Sequence, residues 1–404
     1  MAASRRILVH DYSGHPFQVQ LSRALARRGH EVLHVFSTSF QTPKGNLTRQ
    51  PGDAAGFAVK GLSLGREFRK DTFVQRRQQE IEFGRLVARE IRAFRPDTVI
   101  SSNAPLDTQK QIFRATRAGK ARFIFWLQDI YSEAIGKIVP RKLPLLGHAI
   151  AALYRNLEFS ILRQSDHVVS ISDDFIPILT ARGVDAGRIA VIENWAPLDE
   201  IVPVARDNAW STDHLGAGLR AVYSGTLGYK HNPDLLLEAA RAFPGKLYVF
   251  SEGRVADALR QRACDEGVHQ LEVRPWLPFS DLPAMLSGAD IFIAMIEADA
   301  GIYSVPSKIL TYLCIGRPIL AAIPEGNLAR KTLARAGAGI VVPPADPAAF
   351  IAALHQLATE PAARDAMARG GRRYAEQAFD IEQIADRFQA LVTAPLSHQD
   401  IKGV

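Results

Sequence analysis

Short apolar runs alternate with longer amphipathic segments along the first half of the chain. Six of the runs are continuously apolar, which is typical of strands covered on both faces of a sheet. They lie at residues 7–10, 32–36, 98–101, 123–127, 168–171 and 189–192, and helical periodicity fills residues 16–28, 73–94, 108–118 and 147–163. This strand–helix–strand order predicts right-handed crossovers and a parallel sheet.

Two stretches interrupt the alternation. Residues 38–72 contain two prolines and five glycines, and they predict a long excursion from the first sheet. Residues 193–218 lose the periodicity and carry two more prolines and two glycines. We expect a linker between two domains at this second interruption.

The second half of the chain repeats the pattern of the first. Strand candidates lie at residues 221–224, 247–251, 271–273, 291–294, 319–322 and 340–342, with helices at 233–242, 255–263, 306–314 and 328–336 and two closing helices at 361–377 and 380–392. Two successive sets of about six parallel strands predict an α/β protein with two doubly wound domains. A length of 404 residues suits two such cores.

Composition excludes several classes of protein. Hydrophobic residues make up 47% and charged residues 23% of the chain, as in ordinary globular proteins. No run approaches the roughly 18 apolar residues of a transmembrane helix, and the apolar run after Arg6 is too short for a signal peptide. The two cysteines, Cys264 and Cys314, give no disulfide framework. We therefore expect a cytoplasmic protein.

The net charge of +7 is unevenly distributed. Residues 1–192 contain 29 Lys and Arg against 17 Asp and Glu, a balance of +12, whereas the remainder has a balance of −5. A basic half suits a phosphorylated substrate, an acidic lipid surface or a nucleic acid. We expect no nucleic acid, because the chain has no zinc-finger spacing, RNA-recognition signature or arginine-rich tract.

Ligands of open parallel sheets bind beyond the carboxyl ends of the strands, and two loops of the first domain carry candidate residues there. Ser13, Gly14 and His15 follow the first strand, and free amides at the next helix start would favour an anion, although a plain turn is the alternative. After the fourth strand, Asp129 and Glu133 would share a helical face if their segment is helical. These carboxylates could handle a proton or hold sugar hydroxyls, or they could simply favour a helix start.

Three loops of the second domain suggest a diphosphate site. Gly225 and Gly228 open the backbone of a turn in which Lys230 can reach a phosphate, although a solvated lysine is the alternative. Arg254 follows the next strand, where it could contact a diphosphate or remain solvated. Further along, Pro306 begins a helix whose first amides would face the diphosphate beside Ser307 and Lys308.

The segment at residues 137–163 has two interpretations. Apolar residues recur at helical spacing among Arg141, Lys142, Arg155 and Arg163, so the helix could dock on an anionic membrane surface. An amphipathic core helix explains the same pattern. No spacing of His, Cys or carboxylates indicates a metal site, so we expect metal independence and no cofactor.

These motifs in this order resemble the retaining GT-B glycosyltransferases of the group 1, or family 4, type. The strongest matches are residues 224–232, 235–239, 277–289, 305–318 and 338–343. The stretches Gln128-Asp129-Ile130-Tyr131 and Pro306-Ser307-Lys308 resemble the branch that builds bacterial surface polysaccharides such as O-antigen or capsule, which includes fucosamine-type transferases. The resemblance implies two facing Rossmann-like domains, at residues 1–195 and 196–377. The final helix would return to the first domain within residues 378–404.

The resemblance also implies the ligands and the residues that bind them. A nucleotide sugar, UDP-linked, would occupy the second domain, and a polyprenyl-diphosphate-linked sugar or oligosaccharide would occupy the first, at the inner face of the membrane. The implied site residues are Gly225, Thr226, Lys230, Arg254, Ser304, Pro306, Ser307 and Lys308 for the donor, Ser13, Gly14, His15, Gln128 and Asp129 for the acceptor, and Asp129, Lys230 and Glu133 for catalysis.

The sequence departs from the family pattern at four positions. Thr226 stands where an arginine is usual, with Arg254 as its candidate replacement, and Gln128 replaces a frequent histidine. Tyr303 and Thr311 stand at the two glutamates of a Glu-x7-Glu motif. Two other functions therefore stay open: a sugar-nucleotide 2-epimerase of the same fold, and a non-catalytic nucleotide-sugar-binding scaffold.

Overall fold

The computed structural model describes residues 3–39, 44–66, 73–102, 104–228, 231–297 and 307–395. The chain divides into two compact units. The first unit comprises Met1–Glu193 with Ile381–Val404, and the second comprises Asn194–Asp380.

The described part of the first unit is built on a seven-stranded parallel sheet with the strand order β3-β2-β1-β4-β5-β6-β7. Its strands are β1 (Arg6–Asp11), β2 (Glu31–Ser37), β3 (Phe57–Leu62), β4 (Thr98–Ser102), β5 (Arg122–Leu127), β6 (His167–Ser170) and β7 (Ile189–Val191). Its first helices are α1 (Pro16–Arg27), α2 (Phe73–Phe94), α3 (Leu106–Ala118), α4 (Tyr131–Lys142), α5 (Gly147–Gln164) and α6 (Ile176–Ala181).

Strand β3 corrects the prediction that residues 38–72 lie outside the sheet. It pairs in parallel with β2 along its whole length, from Val32 opposite Phe57 to Ser37 opposite Leu62. Phe57 and Leu62 are buried, but the positions between them are mostly exposed. An edge strand of this kind lacks the continuous apolar run that identifies the central strands, which is why the sequence pattern missed it.

The second unit is built, in its described residues, on a six-stranded parallel sheet with the order β10-β9-β8-β11-β12-β13. Its strands are β8 (Arg220–Ser224), β9 (Lys246–Phe250), β10 (Leu271–Arg274), β11 (Ile291–Met295), β12 (Ile319–Ala322) and β13 (Gly339–Val342). Its helices are α7 (Ala209–His214), α8 (Pro233–Ala242), α9 (Arg254–Asp265), α10 (Leu282–Ser287), α11 (Lys308–Ile315), α12 (Leu328–Ala336), α13 (Pro347–Thr359) and α14 (Pro361–Ala378).

The stretch expected to be a linker is integrated into the second unit. Residues 194–218 include α7, and the Arg206 guanidinium donates to both carboxylate oxygens of Asp290, at 2.7 and 2.8 Å. The backbone amide of Arg220 donates to the same carboxylate at 2.9 Å. Because Asp290 precedes β11 and Arg220 begins β8, these bonds tie the segment to the start of the sheet.

Helix α15 (Ile381–Thr393) belongs to the first unit, although it follows the whole second unit in sequence. The Phe388 ring is fully buried and lies 4.8 Å from the Trp126 ring of β5. Arg28 donates to the carboxylates of Glu382 and Asp386, at 2.9 and 2.6 Å. The chain thus returns to the first unit, as the resemblance implied.

Both sheets are parallel throughout their described strands, so each has one edge where all strands end and an opposite edge where they begin. We call these the carboxyl edge and the amino edge. The loops that follow β1, β4 and β5 lie at the carboxyl edge of the first unit. Those that follow β8, β9 and β11 lie at the carboxyl edge of the second unit, and ligands of such sheets bind at this edge.

Candidate functional site

A buried carboxylate closes the loop between β1 and α1. Asp11 accepts hydrogen bonds from the backbone amides of Ser13 at 3.0 Å, Gly14 at 2.9 Å and His15 at 2.5 Å. Burial opposes the charge on Asp11, but the hydrogen bond and charge of His15, the charge of His34 and the Gly14 amide together lower its pKa. The carboxylate is therefore ionised and stays bound to its own loop.

This geometry corrects the expectation that the loop attracts an anion. The three amides that would face a phosphate already bind Asp11, and a second anion would meet its charge. Gly14 is also covered, since the Gly45 amide donates to its carbonyl at 3.0 Å and the side chains of Lys44 and Leu47 pack against it. The loop thus presents the half-exposed His15 ring, 3.4 Å from Asp11, and not a free phosphate cradle.

The structure separates the two carboxylates that follow β5. Asp129 precedes α4, which begins at Tyr131, whereas Glu133 lies in its first turn. The expectation that they share a helical face is therefore wrong. Glu133 accepts from Arg182 at 3.3 Å, while Asp129 lies close enough to Tyr131 for its charge to raise the pKa of that phenol further than burial alone does.

The start of α4 is held by a residue that the sequence did not indicate. Glu158 of α5 is completely buried, and its two oxygens accept from the backbone amides of Tyr131 and Ser132, each at 2.9 Å. Free amides at a helix start favour a negative charge. Glu158 therefore anchors the first turn of α4, which directly follows Gln128, Asp129 and Ile130.

Further polar residues that the sequence analysis missed lie at the same edge, between α2, α3 and α5. Arg76 pairs with Glu80 at 2.8 Å, and burial raises the pKa of Glu80 despite this partner. Asp107 accepts from Arg77 at 3.0 Å and from the Tyr154 hydroxyl at 2.7 Å. The rule that singled out the loops after β1 and β5 also applies to the loop after β4, and it would have identified Asp107.

The loop after β8 in the second unit is closed by uncharged partners. The Gly225 amide donates to the Phe250 carbonyl at 3.0 Å, the Leu227 amide to the Ser251 hydroxyl at 2.9 Å and the Gly228 amide to His231 Nδ1 at 2.9 Å. The Tyr223 hydroxyl donates to the Thr226 carbonyl at 2.8 Å. Unlike the amides of the β1–α1 loop, the described amides of this loop therefore have no carboxylate as their partner.

Lys308 lies directly against this loop. Its Nζ is 3.5 Å from the centroid of the Tyr223 ring, which is a cation–π contact. A Cβ on Gly225, whose φ is +125°, would lie only 3.2 Å from Lys308 Cε. The absence of a side chain at residue 225 thus allows the ammonium group to approach the carboxyl end of β8, and the structure brings these two predicted donor residues together.

Three other predicted donor residues, Ser307, Thr226 and Arg254, lie at the same carboxyl edge. Ser307 is exposed at the start of α11, and Thr226 is exposed in the β8–α8 loop. Arg254 begins α9, one strand away, and forms no ion pair within the part of the chain that the structure describes. Lys230, Ser304 and Pro306 lie outside the described residues.

A cavity of about 400 Å³ borders the same region of the second unit. It is lined by the start of α8, by α9 and by a residue that follows β11, namely Asn232, Pro233, Asp234, Val255, Ala258, Leu259, Arg262 and Glu297. Asn232, with a φ of +42°, caps α8 by accepting from the Leu235 amide at 3.2 Å. The cavity adds Glu297 to the polar groups at this carboxyl edge.

Comparison with known families agrees with this arrangement. Residues 15–195 match the family described as "Glycosyl transferase 4-like domain", and residues 218–360 match the family described as "Glycosyl transferases group 1". The chain belongs to the GT-B glycosyltransferases of the group 1 type. The first match of this glycosyltransferase covers most of residues 1–193 in the first unit, and the second match lies within the second unit.

Two curated relatives share part of their sequence with the glycosyltransferase. It is 24% identical over 323 residues to a protein of Pseudomonas aeruginosa named as a probable glycosyltransferase, WbjE, covering 77% of this chain and 78% of the relative. It is also 24% identical over 311 residues to WcaI of Escherichia coli K12, whose name assigns it to colanic acid biosynthesis as a glycosyl transferase, covering 74% of each chain.

Solved structures of low sequence identity share the fold. A sucrose-phosphate synthase from Thermosynechococcus elongatus matches with a TM-score of 0.71 at 16% identity, covering 96% of this chain and 98% of that one. HepE of Anabaena, in complex with UDP and glucose, matches with a TM-score of 0.70 at 14% identity, covering 97% and 100%.

The segment at residues 137–163 of the glycosyltransferase divides between the core and the surface. Ile161 is buried in α5, but Leu146 and Leu153 are 65% and 61% exposed, and Leu145 in the preceding turn is 96% exposed.

None of the helices in the described residues is both long enough and apolar enough to cross a bilayer. Among these same residues, no cluster of three His, Cys, Asp or Glu side chains could hold a metal ion.

We predict that Glu158→Gln changes how stability depends on pH. Burial raises the pKa of Glu158 from 4.5 to about 7, so the folded chain binds more protons than the unfolded chain between these values. This contribution to stability is fully present below the unfolded pKa and is lost as the pH rises through the folded pKa. The stability advantage of the parent over Glu158→Gln should therefore shrink from about pH 4.5 to about pH 7 in urea denaturation.

Glu133→Gln is the matched control, because it removes a partly exposed carboxylate from the turn that Glu158 anchors. Its stability difference from the parent should not follow the same profile. If the stability difference between parent and Glu158→Gln stays constant from about pH 4.5 to about pH 7, burial does not raise the pKa of Glu158.

Proposed function

We propose that this protein is a retaining, metal-independent hexosyltransferase that takes a sugar from a UDP-sugar and adds it to a lipid-linked sugar or oligosaccharide. The observation that carries the proposal is Lys308, held over Tyr223 beside Gly225 at a carboxyl edge whose loop amides are bound by uncharged groups. HepE in complex with UDP and glucose, and a relative named for colanic acid biosynthesis, support the donor and the bacterial polysaccharide pathway.

The second unit would stabilise the leaving nucleoside diphosphate. As the bond between the sugar's anomeric carbon and the diphosphate oxygen breaks, the electron pair moves onto that oxygen and negative charge develops there. Lys308 and the first amides of α11 face such a charge with a positive group and aligned dipoles. Lys230, outside the described residues, would add a second cation, and Arg254 a third.

The first unit would bind the acceptor. The acceptor hydroxyl forms the new bond to the anomeric carbon from the face that the diphosphate leaves, so configuration is retained. Asp129, which lies two residues before the start of α4 that Glu158 anchors, would orient that hydroxyl or help remove its proton. His15 and Gln128 lie in loops of the same carboxyl edge and would contact sugar hydroxyls.

A surface suited to membrane contact supports the lipid-linked acceptor. Helices α4 and α5 form an antiparallel hairpin, since Glu158 meets the start of α4 and Gly147 packs against Pro140 near its end. Residues 134–157 contain four Lys and Arg and no Asp or Glu. Five of the eight large hydrophobic side chains that are exposed in the described residues belong to this hairpin, namely Ile138, Leu143, Leu145, Leu146 and Leu153. We propose that the hairpin docks on an anionic inner leaflet.

The donor proposal predicts that Lys308→Ala weakens UDP binding by roughly 10- to 100-fold, the value of a charge-assisted hydrogen bond. Titration calorimetry with UDP, GDP, ADP and UDP-sugars measures the effect and identifies the base. Lys246→Ala is the control, because Lys246 begins β9 at the opposite edge of the same sheet. Equal UDP affinity in parent and Lys308→Ala would remove Lys308 from the donor site, and no binding of any nucleotide would refute the donor proposal.

The acceptor proposal predicts that Asp129→Asn lowers kcat/KM for the acceptor by about 100-fold, the typical loss of a general base, with UDP affinity unchanged. Asp173→Asn, which removes an exposed carboxylate after β6, should leave both quantities unchanged. Unaltered acceptor kinetics in Asp129→Asn would exclude Asp129 from the reaction. Conversion of the nucleotide sugar with no acceptor added would instead identify an epimerase.

The docking proposal predicts that Leu145→Ser/Leu146→Ser lowers partitioning onto vesicles containing anionic lipid by at least about tenfold, because each buried leucine contributes about 1.5–3 kcal/mol. Sedimentation with vesicles measures the bound fraction. The control is Val202→Ser/Val204→Ser, which changes two exposed valines of the second unit. Equal partitioning of both double variants and the parent would refute docking through the hairpin.

A further inference from the structure

The first unit contains a cavity at the amino edge of its sheet, opposite the edge that carries Asp11 and Asp129. It is larger than the cavity described in the second unit. Its volume is about 880 Å³. It is bordered by the starts of β1, β4 and β5 and by the ends of α2, α3 and α15, through Arg5, Thr98, Arg122, Arg95, Lys120 and Ala394. None of the residues proposed to bind donor or acceptor lines this cavity.

The lining of this cavity is strongly basic. Its charged residues are Arg5, Arg92, Arg95, Lys120 and Arg122 against the single carboxylate Asp97. Asp97 accepts from the Arg6 amide at 2.8 Å, and the buried Arg122 donates to the carbonyls of Leu391, Val392 and Ala394. The other four cations form no ion pair or side-chain hydrogen bond within the described ranges, so no described carboxylate compensates their charge.

The backbone places two of these cations at positions that normally require glycine. Arg95 and Lys120 follow α2 and α3 with φ angles of +50° and +55°, and Asn232 is the only other non-glycine residue with positive φ in the described chain. A left-handed residue after a helix is usually glycine, and another residue there costs roughly 1 kcal/mol. Two costly cations thus border one cavity.

The helix dipole does not account for this choice. A cation near a helix C-terminus is favourable, but Arg92 and Arg117 already provide one in the last turns of α2 and α3. Glycine at residues 95 and 120 would keep that stabilisation and avoid the strain. Arg95 and Lys120 therefore contribute to something other than helix stability.

We propose that the cavity binds a compact, soluble polyphosphate anion, with Arg5, Arg92, Arg95 and Lys120 as its partners. Four uncompensated cations around one cavity suit a ligand that carries several negative charges, and guanidinium groups bind phosphate oxygens in pairs. The hairpin turn at residues 143–146 extends beyond the carboxyl edge of the sheet, whereas the cavity lies at the amino edge. The length of β5, about 20 Å, separates the two edges. A lipid headgroup at that turn would not reach the cavity.

Titration calorimetry of the full chain with inorganic tripolyphosphate at low salt tests the site. We expect one tripolyphosphate per chain, and at least tenfold weaker binding in the Arg95→Gly/Lys120→Gly variant. Glycine accepts the left-handed backbone, so this variant should melt at or above the temperature of the parent. Its loss of binding could then not be attributed to unfolding.

A variant of equal net charge provides the control. Arg85→Ala/Arg114→Ala removes two exposed cations from α2 and α3 outside the cavity, and it should bind tripolyphosphate as the parent does. Equal loss in both double variants, or no loss in either, would overturn the proposal. So would displacement of tripolyphosphate by saturating UDP, which would assign the anion to the donor site, or by anionic vesicles, which would assign it to the membrane surface.

Discussion

Backbone amides at the carboxyl edge of a parallel sheet must find hydrogen-bond partners, and in this protein the charge of those partners differs between the units. In the first unit, the carboxylates of Asp11 and Glu158 together accept from five amides of the loops after β1 and β5. In the second unit, the amides after β8 bind a carbonyl, a hydroxyl and an imidazole. The β1–α1 loop therefore already holds a carboxylate, whereas the described amides of the β8–α8 loop are bound by uncharged groups.

This difference gives a physical reason for assigning the donor to one unit and the acceptor to the other. A diphosphate approaching the β1–α1 loop would have to displace Asp11, whose pKa is lowered by His15, His34 and the Gly14 amide despite complete burial. A neutral sugar meets no such opposition, and carboxylates are good acceptors for its hydroxyls. At the second edge, Lys308 offers positive charge to an anion and no buried carboxylate of the β8–α8 loop competes for it.

The sequence predicted the fold well because its signal is local. Continuous apolar runs identified the central strands, and α8, α12 and β12 begin and end at the predicted residues. The site was less predictable because its contacts are not local. Glu158 is separated by 27 residues from Tyr131 in sequence and meets it only because α4 and α5 fold back on each other. Gly225 and Lys308 were each predicted as donor residues, but the sequence did not predict that they meet. Their proximity beside the Tyr223 ring depends on the packing of α11 against β8.

The basic balance of the first half takes on a different meaning once these contacts are known. A surplus of +12 predicted a phosphorylated substrate, an acidic lipid surface or a nucleic acid as partner, yet buried carboxylates lie at the carboxyl edge of this unit. Four cations with no ion pair among the described residues line the amino-edge cavity, and further positive charge lies along the α4–α5 hairpin. Net charge predicts an anionic partner, but it does not locate the site, for which the backbone geometry is needed. Arg95 and Lys120, which occupy left-handed positions at real energetic cost, are better evidence for such a site than the total.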